Sequence, residues 1–200
     1  QVRSGRGDAA TLEALGLLGD PQAVPALHHA LADPALAPAS ALALHWITGA
    51  PLHEEVFIED PVDEALLSPQ ELVAWRDEGR SPRRPDGQPY GDTKRRLSLD
   101  PQAWLHWIQG NHANWRVGRR YRLGQPCGPA EVLRCLADPQ ASRRLRELAA
   151  QELATRYGCT IPFEADRPVA QQRRLLARIA DWIPQASGEP GAWMLNGIAQ

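Results

Sequence analysis

The sequence has few cysteines, a single lysine and no long apolar run. Its three cysteines, Cys127, Cys135 and Cys159, are odd in number and show no C-x-x-C spacing, so they indicate neither a disulfide framework nor a zinc site. No apolar run approaches the roughly 20 residues that a membrane helix needs, so no membrane partner is expected. Because Lys94 is the only lysine, the basic charge is almost wholly arginine, which suits bidentate pairing with carboxylates.

The sequence also lacks the motifs of the common catalytic and cofactor sites. There is no G-x-S-x-G elbow, no H-E-x-x-H pair, and no Gly-rich phosphate-binding loop. The histidines have no metal-ligand spacing, and they are His28, His29, His45, His53, His106 and His112. We therefore predict no catalytic residue, no metal and no cofactor, and expect the chain not to be an enzyme.

The charge and the composition of the chain limit the classes of partner that it can be expected to bind. The net charge of −2 gives no general attraction to nucleic acid or to anionic lipid. The sequence is 43% hydrophobic and rich in Ala, Leu and Arg, which favours helices. It begins with Gln1 rather than Met, so we expect it to be part of a longer protein. No signal peptide is visible, and a cytoplasmic location with reduced thiols is expected.

Residues 1–50 have the punctuation of short antiparallel helices. Asp8 is a candidate N-cap, and Gly19-Asp20-Pro21 combines a helix stop with the start of the next helix. Asp33-Pro34 repeats the break, and a third apolar segment ends at Thr48-Gly49. Helices that alternate with such turns bury one another's apolar faces, which is typical of a helical repeat.

A related pattern recurs in residues 127–183. Leu31-Ala32-Asp33-Pro34 returns as Leu136-Ala137-Asp138-Pro139, and a longer helix ending at Gly158 follows. This predicts a second helical hairpin with a last helix from Pro168, and then a Gly/Pro-punctuated tail at 184–200. The chain is thus expected to contain repeat helices at 1–50, a middle segment at 51–126, the hairpin and the tail.

Two groups of motifs resemble known families. The G-D-P-x-A-V-P-A-L segment from Gly19 to Leu27 resembles HEAT-like repeats of the phycobilisome-lyase type. The order of four further motifs resembles a proteobacterial family of HEAT-like proteins that is associated with type VI secretion gene clusters. These motifs are Ile47-Thr48-Gly49, Arg120-Tyr121-Arg122-Leu123-Gly124-Gln125-Pro126, Gln151-Glu152-Leu153-Ala154 and Gln172-Arg173-Arg174-Leu175. The resemblance implies an all-α, HEAT-like helical-hairpin solenoid with an irregular Trp/Arg-rich middle segment.

The middle segment differs in composition from both helical ends. Residues 53–64 carry six carboxylates and no arginine or lysine, so they form either a docking strip for a basic partner or a solvated linker. Ser68-Pro69-Gln70-Glu71 is a capping box that predicts a short helix. Residues 79–96 are rich in Arg, Pro and Gly, which predicts a long loop, either mobile or ordered by a partner.

Basic and aromatic side chains of the middle segment are the candidate partner-binding residues. They are Arg80, Arg83, Arg84, Tyr90, Arg95, Arg96, Trp104, Trp107 and Trp115. The basic loop can bind a protein, pair with the acidic strip of the same chain, or contact nucleic-acid phosphates while Tyr90 stacks on a base, and the net charge argues against the last. The tryptophans share one predicted helix face, which is either core or interface.

These observations favour a non-enzymatic protein-interaction scaffold. The family resemblance implies an adaptor or co-chaperone that binds a type VI secretion effector or a tip component. An immunity protein that blocks a toxin is an alternative within the binding class. A bilin-lyase-like enzyme, with a tetrapyrrole pocket and a defined nucleophile or acid, is the alternative from another class.

Overall fold

The computed structural model describes residues 8–138, 141–186, 188–195 and 197–200, and the chain divides into two compact units. The helical unit is formed by Gln1–Leu52 together with Leu99–Gln200. The inserted unit is the segment between them, His53–Ser98. The middle segment expected from the sequence is therefore divided, because its last part belongs to the helical unit.

The described residues form eight α-helices and six short strands. The helices are α1 (Ala9–Leu18), α2 (Val24–Ala30), α3 (Ala37–Thr48), α4 (Pro69–Glu78), α5 (Pro101–Asn111), α6 (Pro129–Ala137), α7 (Arg143–Tyr157) and α8 (Val169–Trp182). The strands are β1 (His53–Glu59), β2 (Gly91–Leu97), β3 (Tyr121–Arg122), β4 (Gln125–Pro126), β5 (Met194–Leu195) and β6 (Ile198–Ala199). The strands form three two-stranded antiparallel sheets, in which β1 pairs with β2, β3 with β4 and β5 with β6.

The prediction of an all-α, HEAT-like solenoid is wrong. The structure is mixed α/β, with 53% of the described residues in helices and 13% in strands. The missed strand β2 reads GDTKRRL, which has no apolar alternation to identify it as a strand. Its pairing partner lies more than 30 residues earlier, where Glu54 accepts a hydrogen bond of 2.7 Å from Arg96. The strand conformation of β2 is therefore determined by pairing with a segment distant in sequence, and not by its local composition.

The first three helices confirm the predicted caps and pack on one another. The Asp8 carboxylate accepts a hydrogen bond of 2.8 Å from the Thr11 backbone N–H, and α1 ends at Gly19 in the left-handed conformation, with φ of 77°. Helices α1 and α2 both pack on α3. The core between them consists of side chains with no exposed surface, and these include Leu12, Leu27, Leu44 and Ile47. Each such buried side chain stabilises the folded state by about 1.5–3 kcal/mol relative to leaving it exposed.

A second core lies among α6, α7 and α8. The Ser142 hydroxyl caps α7 by accepting from the Leu145 N–H, and Gly158 ends this helix with φ of 73°. The predicted C-terminal helical hairpin and last helix are thus present. The core beneath them includes Val132, Leu136, Leu153, Ile179 and, from the tail, Met194.

The β3–β4 hairpin forms hydrogen bonds to the C-terminal ends of helices α1 and α3. Leu123 and Gly124 form its two-residue turn with φ of 49° and 78°, the positive values that a type I′ turn requires. The Leu123 N–H donates to the Trp46 carbonyl of α3 at 2.6 Å, and the Tyr121 N–H donates to the Gly19 carbonyl after α1 at 2.7 Å. The positive φ of Leu123, uncommon outside glycine, is held by these contacts.

The inserted unit is a two-stranded sheet with one helix. β1 pairs with β2 from His53 opposite Leu97 to Glu59 opposite Gly91, so the two ends of the unit lie side by side. Helix α4 begins at the predicted capping box, in which the Ser68 backbone N–H donates to the Glu71 carboxylate at 3.0 Å. Residues 53–64, for which the sequence left open a docking strip or a solvated linker, are largely strand.

Candidate protein-interaction surfaces

Arg120, Arg122 and Glu152 form a buried ion cluster in the helical unit. The Arg120 and Arg122 side chains each donate from Nη2 to a different oxygen of Glu152, at 2.5 Å and 2.7 Å. Arg156 approaches the same carboxylate at 3.2 Å. Arg120 has no exposed surface, and Arg122 and Glu152 are 2% and 7% exposed. The R-Y-R motif noted in the sequence is thus part of the interior.

The same arginines bind the end of helix α1. Arg120 donates from Nε to the Leu18 carbonyl at 2.6 Å, and Arg122 donates to the carbonyls of Gly16 and Leu17 at 3.2 Å and 2.7 Å. The last carbonyls of a helix have no partner within it and carry partial negative charge, which guanidinium groups satisfy. The cluster therefore joins α1 to α7 and has a structural role.

Two tryptophan rings cover these guanidinium groups. Arg122 lies over the Trp46 ring at 5.4 Å from its centroid, and Arg120 lies over the Trp193 ring at 5.6 Å. Among the described residues, Nη1 of Arg120 has no hydrogen-bond partner. A cation over the face of a tryptophan ring gains about 0.5–2 kcal/mol, which offsets part of the cost of burying the guanidinium.

The ionisable groups around the cluster are not activated nucleophiles. Burial acts to raise the pKa of Glu152, but the charges of Arg122 and Arg120 outweigh it and hold that pKa below its ordinary value. Burial raises the pKa of the Cys127 thiol and raises that of Cys135 to about 11. Since thiolate is the reactive form of cysteine, neither thiol is set up to attack a substrate near neutral pH.

The predicted tryptophan face is divided by the structure. Trp104 has no exposed surface and belongs to the core. Trp107 and Trp115 are partly exposed, with ring centroids 6.0 Å apart. Helix α5 ends at Asn111, so the helical periodicity that placed all three on one face does not extend to Trp115. A small apolar groove of about 240 Å³ adjoins Trp115 and is also lined by Val24, Ile108 and Val117.

The predicted loop at residues 79–96 is held by contacts of its own side chains, those of Arg83, Arg84 and Tyr90. Arg83 donates to the Gly87 carbonyl at 3.0 Å, and Arg84 donates to the Gly91 carbonyl at the same distance. The Arg84 guanidinium also lies over the Tyr90 ring, 5.8 Å from its centroid. The backbone forms a turn here, because the Gly87 N–H donates to the Arg84 carbonyl at 2.8 Å. The loop is thus ordered by its own contacts.

The other predicted basic residues lie on the inserted unit as well. Arg80 forms an ion pair with Glu78, and Arg96 forms the ion pair with Glu54 across the sheet. Arg95 is exposed on β2. Pairing of the basic loop with the acidic strip of the same chain, one of the alternatives left open by the sequence, therefore occurs for Arg96.

Large apolar side chains are exposed on the inserted unit. All residues from 53 to 98 are described, and among them only Gly91 and Ser98 are buried. The exposed apolar side chains are Phe57, Ile58, Leu66, Val73 and Tyr90. Leu66 is the extreme case at 83% exposed. A unit of this size that buries no large side chain has apolar surface available for a partner.

A groove with two adjoining lobes crosses the inserted unit. One lobe of about 340 Å³ lies between the end of β1, the segment before α4 and Tyr90. The other lobe, of about 530 Å³, extends toward Arg80 and Arg83. Glu59, Glu71 and three residues of the loop line both lobes. Sequence reasoning identified Tyr90, Arg80 and Arg83 but missed Leu66, whose exposure local sequence does not indicate.

Neither a metal-binding cluster nor a membrane-spanning helix occurs among the described residues. No group of three or more His, Cys, Asp or Glu side chains in that part of the chain is arranged to hold a metal ion. None of the described helices combines the length and the apolar character needed to cross a bilayer.

Comparison with protein-family models, with curated proteins and with solved structures found no match for this chain. The resemblance to HEAT-like repeat families therefore stays a prediction from the sequence. The function rests on the surfaces described above.

Proposed function

We propose that this chain is a non-enzymatic protein-interaction scaffold whose inserted unit contacts the partner. The observation that carries the proposal is the exposure of large apolar side chains on His53–Ser98, a unit whose buried residues are limited to Gly91 and Ser98. A two-stranded hairpin is at best marginally stable in water, and apolar association with another chain adds the stabilisation it lacks.

The helical unit supports the proposal as a platform. Its two cores and the buried cluster around Glu152 consist of residues outside His53–Ser98. Since the first and last residues of the inserted unit are paired strand residues, the unit leaves and rejoins the chain at neighbouring points. Insertions with adjacent ends are tolerated without disturbing the host fold, and binding residues often lie on segments carried by such a scaffold.

The partner is proposed from the family resemblance. Similarity to the HEAT-like family of type VI secretion gene clusters leads us to propose a secreted effector or a tip component as the partner, with the chain acting as its adaptor or co-chaperone. We propose a cytoplasmic location, which fits three cysteines that are all free thiols.

The proposal is tested by removing the inserted unit. Residues 53–98 are replaced by a linker of about four Gly and Ser residues, which can span the separation of about 5 Å between paired strand residues. Full-length and shortened chains are tagged and purified from the native host. We expect the full chain to retain a partner and the shortened chain to lose it, while circular dichroism shows that the helices persist. Equal retention by a folded shortened chain contradicts the proposal.

An immunity protein is a second candidate because the inserted unit is acidic. It contains eleven carboxylates and seven arginine or lysine residues, for a net charge of −4, against +2 for the rest of the chain. Such a surface suits a toxin with a basic active-site face. Gene deletion separates the two roles: loss of an adaptor abolishes secretion of its effector, whereas loss of an immunity protein kills the cell only when the toxin is present.

A further inference from the structure

We propose that the groove of the inserted unit binds a basic segment of a partner protein, in which arginine or lysine residues flank one or two large apolar side chains. The proposal rests on the proposed function and specifies its binding site. The occupant is inferred from the charge and the apolar lining of the lobe of about 340 Å³, called the acidic lobe below.

The acidic lobe is lined by negative charge. Four carboxylates and no arginine or lysine line the acidic lobe, and the carboxylates are those of Glu59, Asp60, Asp63 and Glu71. Two of the four have local tasks: Asp63 caps a short helical turn by accepting from the Ala65 N–H, and Glu71 belongs to the capping box of α4. The lobe therefore carries negative charge that its own walls do not neutralise.

Glu59 and Asp60 are the carboxylates left for a partner. Neither side chain has a hydrogen bond or ion pair with any described residue, and both residues are exposed. In the neighbouring lobe, Arg80 pairs with Glu78, whereas Arg83 donates only to the uncharged Gly87 carbonyl and keeps its positive charge. The acidic lobe itself is lined by no arginine or lysine, so a basic segment seated there gains favourable pairing and faster association.

The acidic lobe also has an apolar lining. Val62, Leu66, Leu67 and Tyr90 line the acidic lobe, together with three prolines. Leu66 is 83% exposed and Tyr90 is 43% exposed, so both present area that a ligand side chain can cover. A volume of about 340 Å³ holds one or two leucine-sized side chains. Because the apolar area lies among the carboxylates, the matching ligand carries apolar anchors between basic residues.

The backbone holds the lobe in shape. The Asp60 N–H donates to the Tyr90 carbonyl at 3.0 Å, which continues the β1–β2 pairing beyond Glu59. On the opposite side, Arg76 of α4 forms an ion pair with Glu64. Both walls of the lobe are therefore anchored by contacts within the inserted unit, and the groove is formed before a ligand binds.

The test uses the full chain and three fluorescein-labelled peptides. The probe is Arg-Arg-Leu-Leu-Arg-Arg, and its controls are Glu-Glu-Leu-Leu-Glu-Glu and Arg-Arg-Ser-Ser-Arg-Arg. Fluorescence polarisation is measured at about 50 and 300 mM NaCl, since salt screens exposed charges. We expect the probe to bind, to bind more weakly at high salt, and to exceed both controls in affinity by about tenfold or more.

Two matched variants locate the site. Glu59 and Glu55 are both exposed acidic residues of β1, but Glu59 lines the groove and Glu55 does not. Glu59→Lys is expected to weaken probe binding about tenfold, and Glu55→Lys to change it less than about twofold, although both alter the net charge equally. Asp60→Lys is the second groove variant if Glu59→Lys does not fold.

Three results overturn the inference: no binding of the probe up to about 1 mM, equal weakening by Glu55→Lys, or equal binding of the acidic peptide. These failures are distinct from failure of the proposed function. If the probe does not bind but removal of residues 53–98 still abolishes partner retention, the inserted unit binds its partner elsewhere and the scaffold proposal stands. If removal leaves retention unchanged, the scaffold proposal itself fails.

Discussion

At the scale of single residues, Glu152 balances the charge of two buried arginines. Its two oxygens accept from Arg120 and Arg122, which in turn bind the terminal carbonyls of α1. Removing one member of a buried ion pair leaves an uncompensated charge in the interior, which costs far more than loss of an exposed pair. The stability of the helical unit should therefore depend strongly on this one carboxylate.

Glu152→Gln tests that dependence. We expect the variant to lose about 3–5 kcal/mol of unfolding free energy, measured by urea denaturation at neutral pH. Glu147→Gln is the control, since Glu147 forms an exposed ion pair with Arg143 on the same helix. Exposed pairs contribute little, so the control should unfold close to the original chain. Equal urea midpoints for the two variants would show that the buried cluster does not determine the stability of the helical unit.

The same carboxylate predicts a pH dependence. Because the two arginines hold the pKa of Glu152 below its ordinary value of 4.5 in the folded chain, folding is favoured while the group is ionised. This contribution is fully present above pH 4.5 and is lost as the pH falls below it, through the folded-state pKa. The difference in unfolding free energy between the original chain and Glu152→Gln should therefore narrow in acid. A constant difference from pH 7 to about pH 3 contradicts this assignment.

At the scale of elements, the β3–β4 hairpin requires glycine at the ends of two helices. A Cβ on Gly19 would lie 2.5 Å from the Tyr121 carbonyl oxygen, and a Cβ on Gly49 would lie 2.5 Å from the Leu123 backbone. Both glycines have positive φ as helix C-caps, so they meet a conformational requirement and a close approach together. The hairpin thus reaches the helix ends only because no side chain intervenes.

Gly19→Ala and Gly158→Ala separate these two requirements. Both positions are left-handed C-caps, with φ of 77° and 73°, but a Cβ on Gly158 meets nothing within 4 Å. Each substitution should cost about 1–2 kcal/mol for the left-handed backbone. Gly19→Ala should cost at least about 1 kcal/mol more, because the hairpin must shift. Thermal unfolding measures the stability of both variants. Equal losses of stability would show that the close approach of the hairpin to Gly19 does not contribute to the cost of the substitution.

Local signals explain which elements the sequence predicts. The caps at Asp8 and Ser68 act within three residues of themselves, so the helices they begin are confirmed. β2 has no such signal, because its strand conformation depends on pairing with β1. The role of Arg120 depends on carbonyls more than 100 residues earlier. The sequence identifies this arginine within a motif, but only tertiary contacts show what it binds.

The candidate site follows the same rule. The sequence shows the acidic residues and Tyr90 directly, whereas placing Trp115 on a face shared with Trp104 and Trp107 assumed a helix that continues past Asn111. The fold-class prediction was wrong for a related reason: residues 79–96 were expected to be a loop, because no local pattern indicates that β2 pairs with β1. Exposure of Leu66 depends on how the segment before α4 folds, which no local pattern specifies.

At the scale of the whole molecule, two units with different properties share one chain. The helical unit contains the large buried side chains and the ion cluster, and the inserted unit contains exposed apolar residues with a net charge of −4. Stability and binding are therefore expected to separate. A chain that lacks residues 53–98 should unfold cooperatively and still be destabilised by Glu152→Gln to the same extent, as measured by urea denaturation. Loss of cooperative unfolding contradicts this separation.

The central claim is that the partner contacts the inserted unit, and hydrogen–deuterium exchange tests it most directly. The complex isolated from the native host is compared with the chain alone, peptide by peptide. The account predicts added protection in residues 59–67 and 81–90, which contain most of the residues that line the groove, and unchanged exchange in α1, α3 and α7. Protection confined to the groove beside Trp115, with none in residues 53–98, would contradict it.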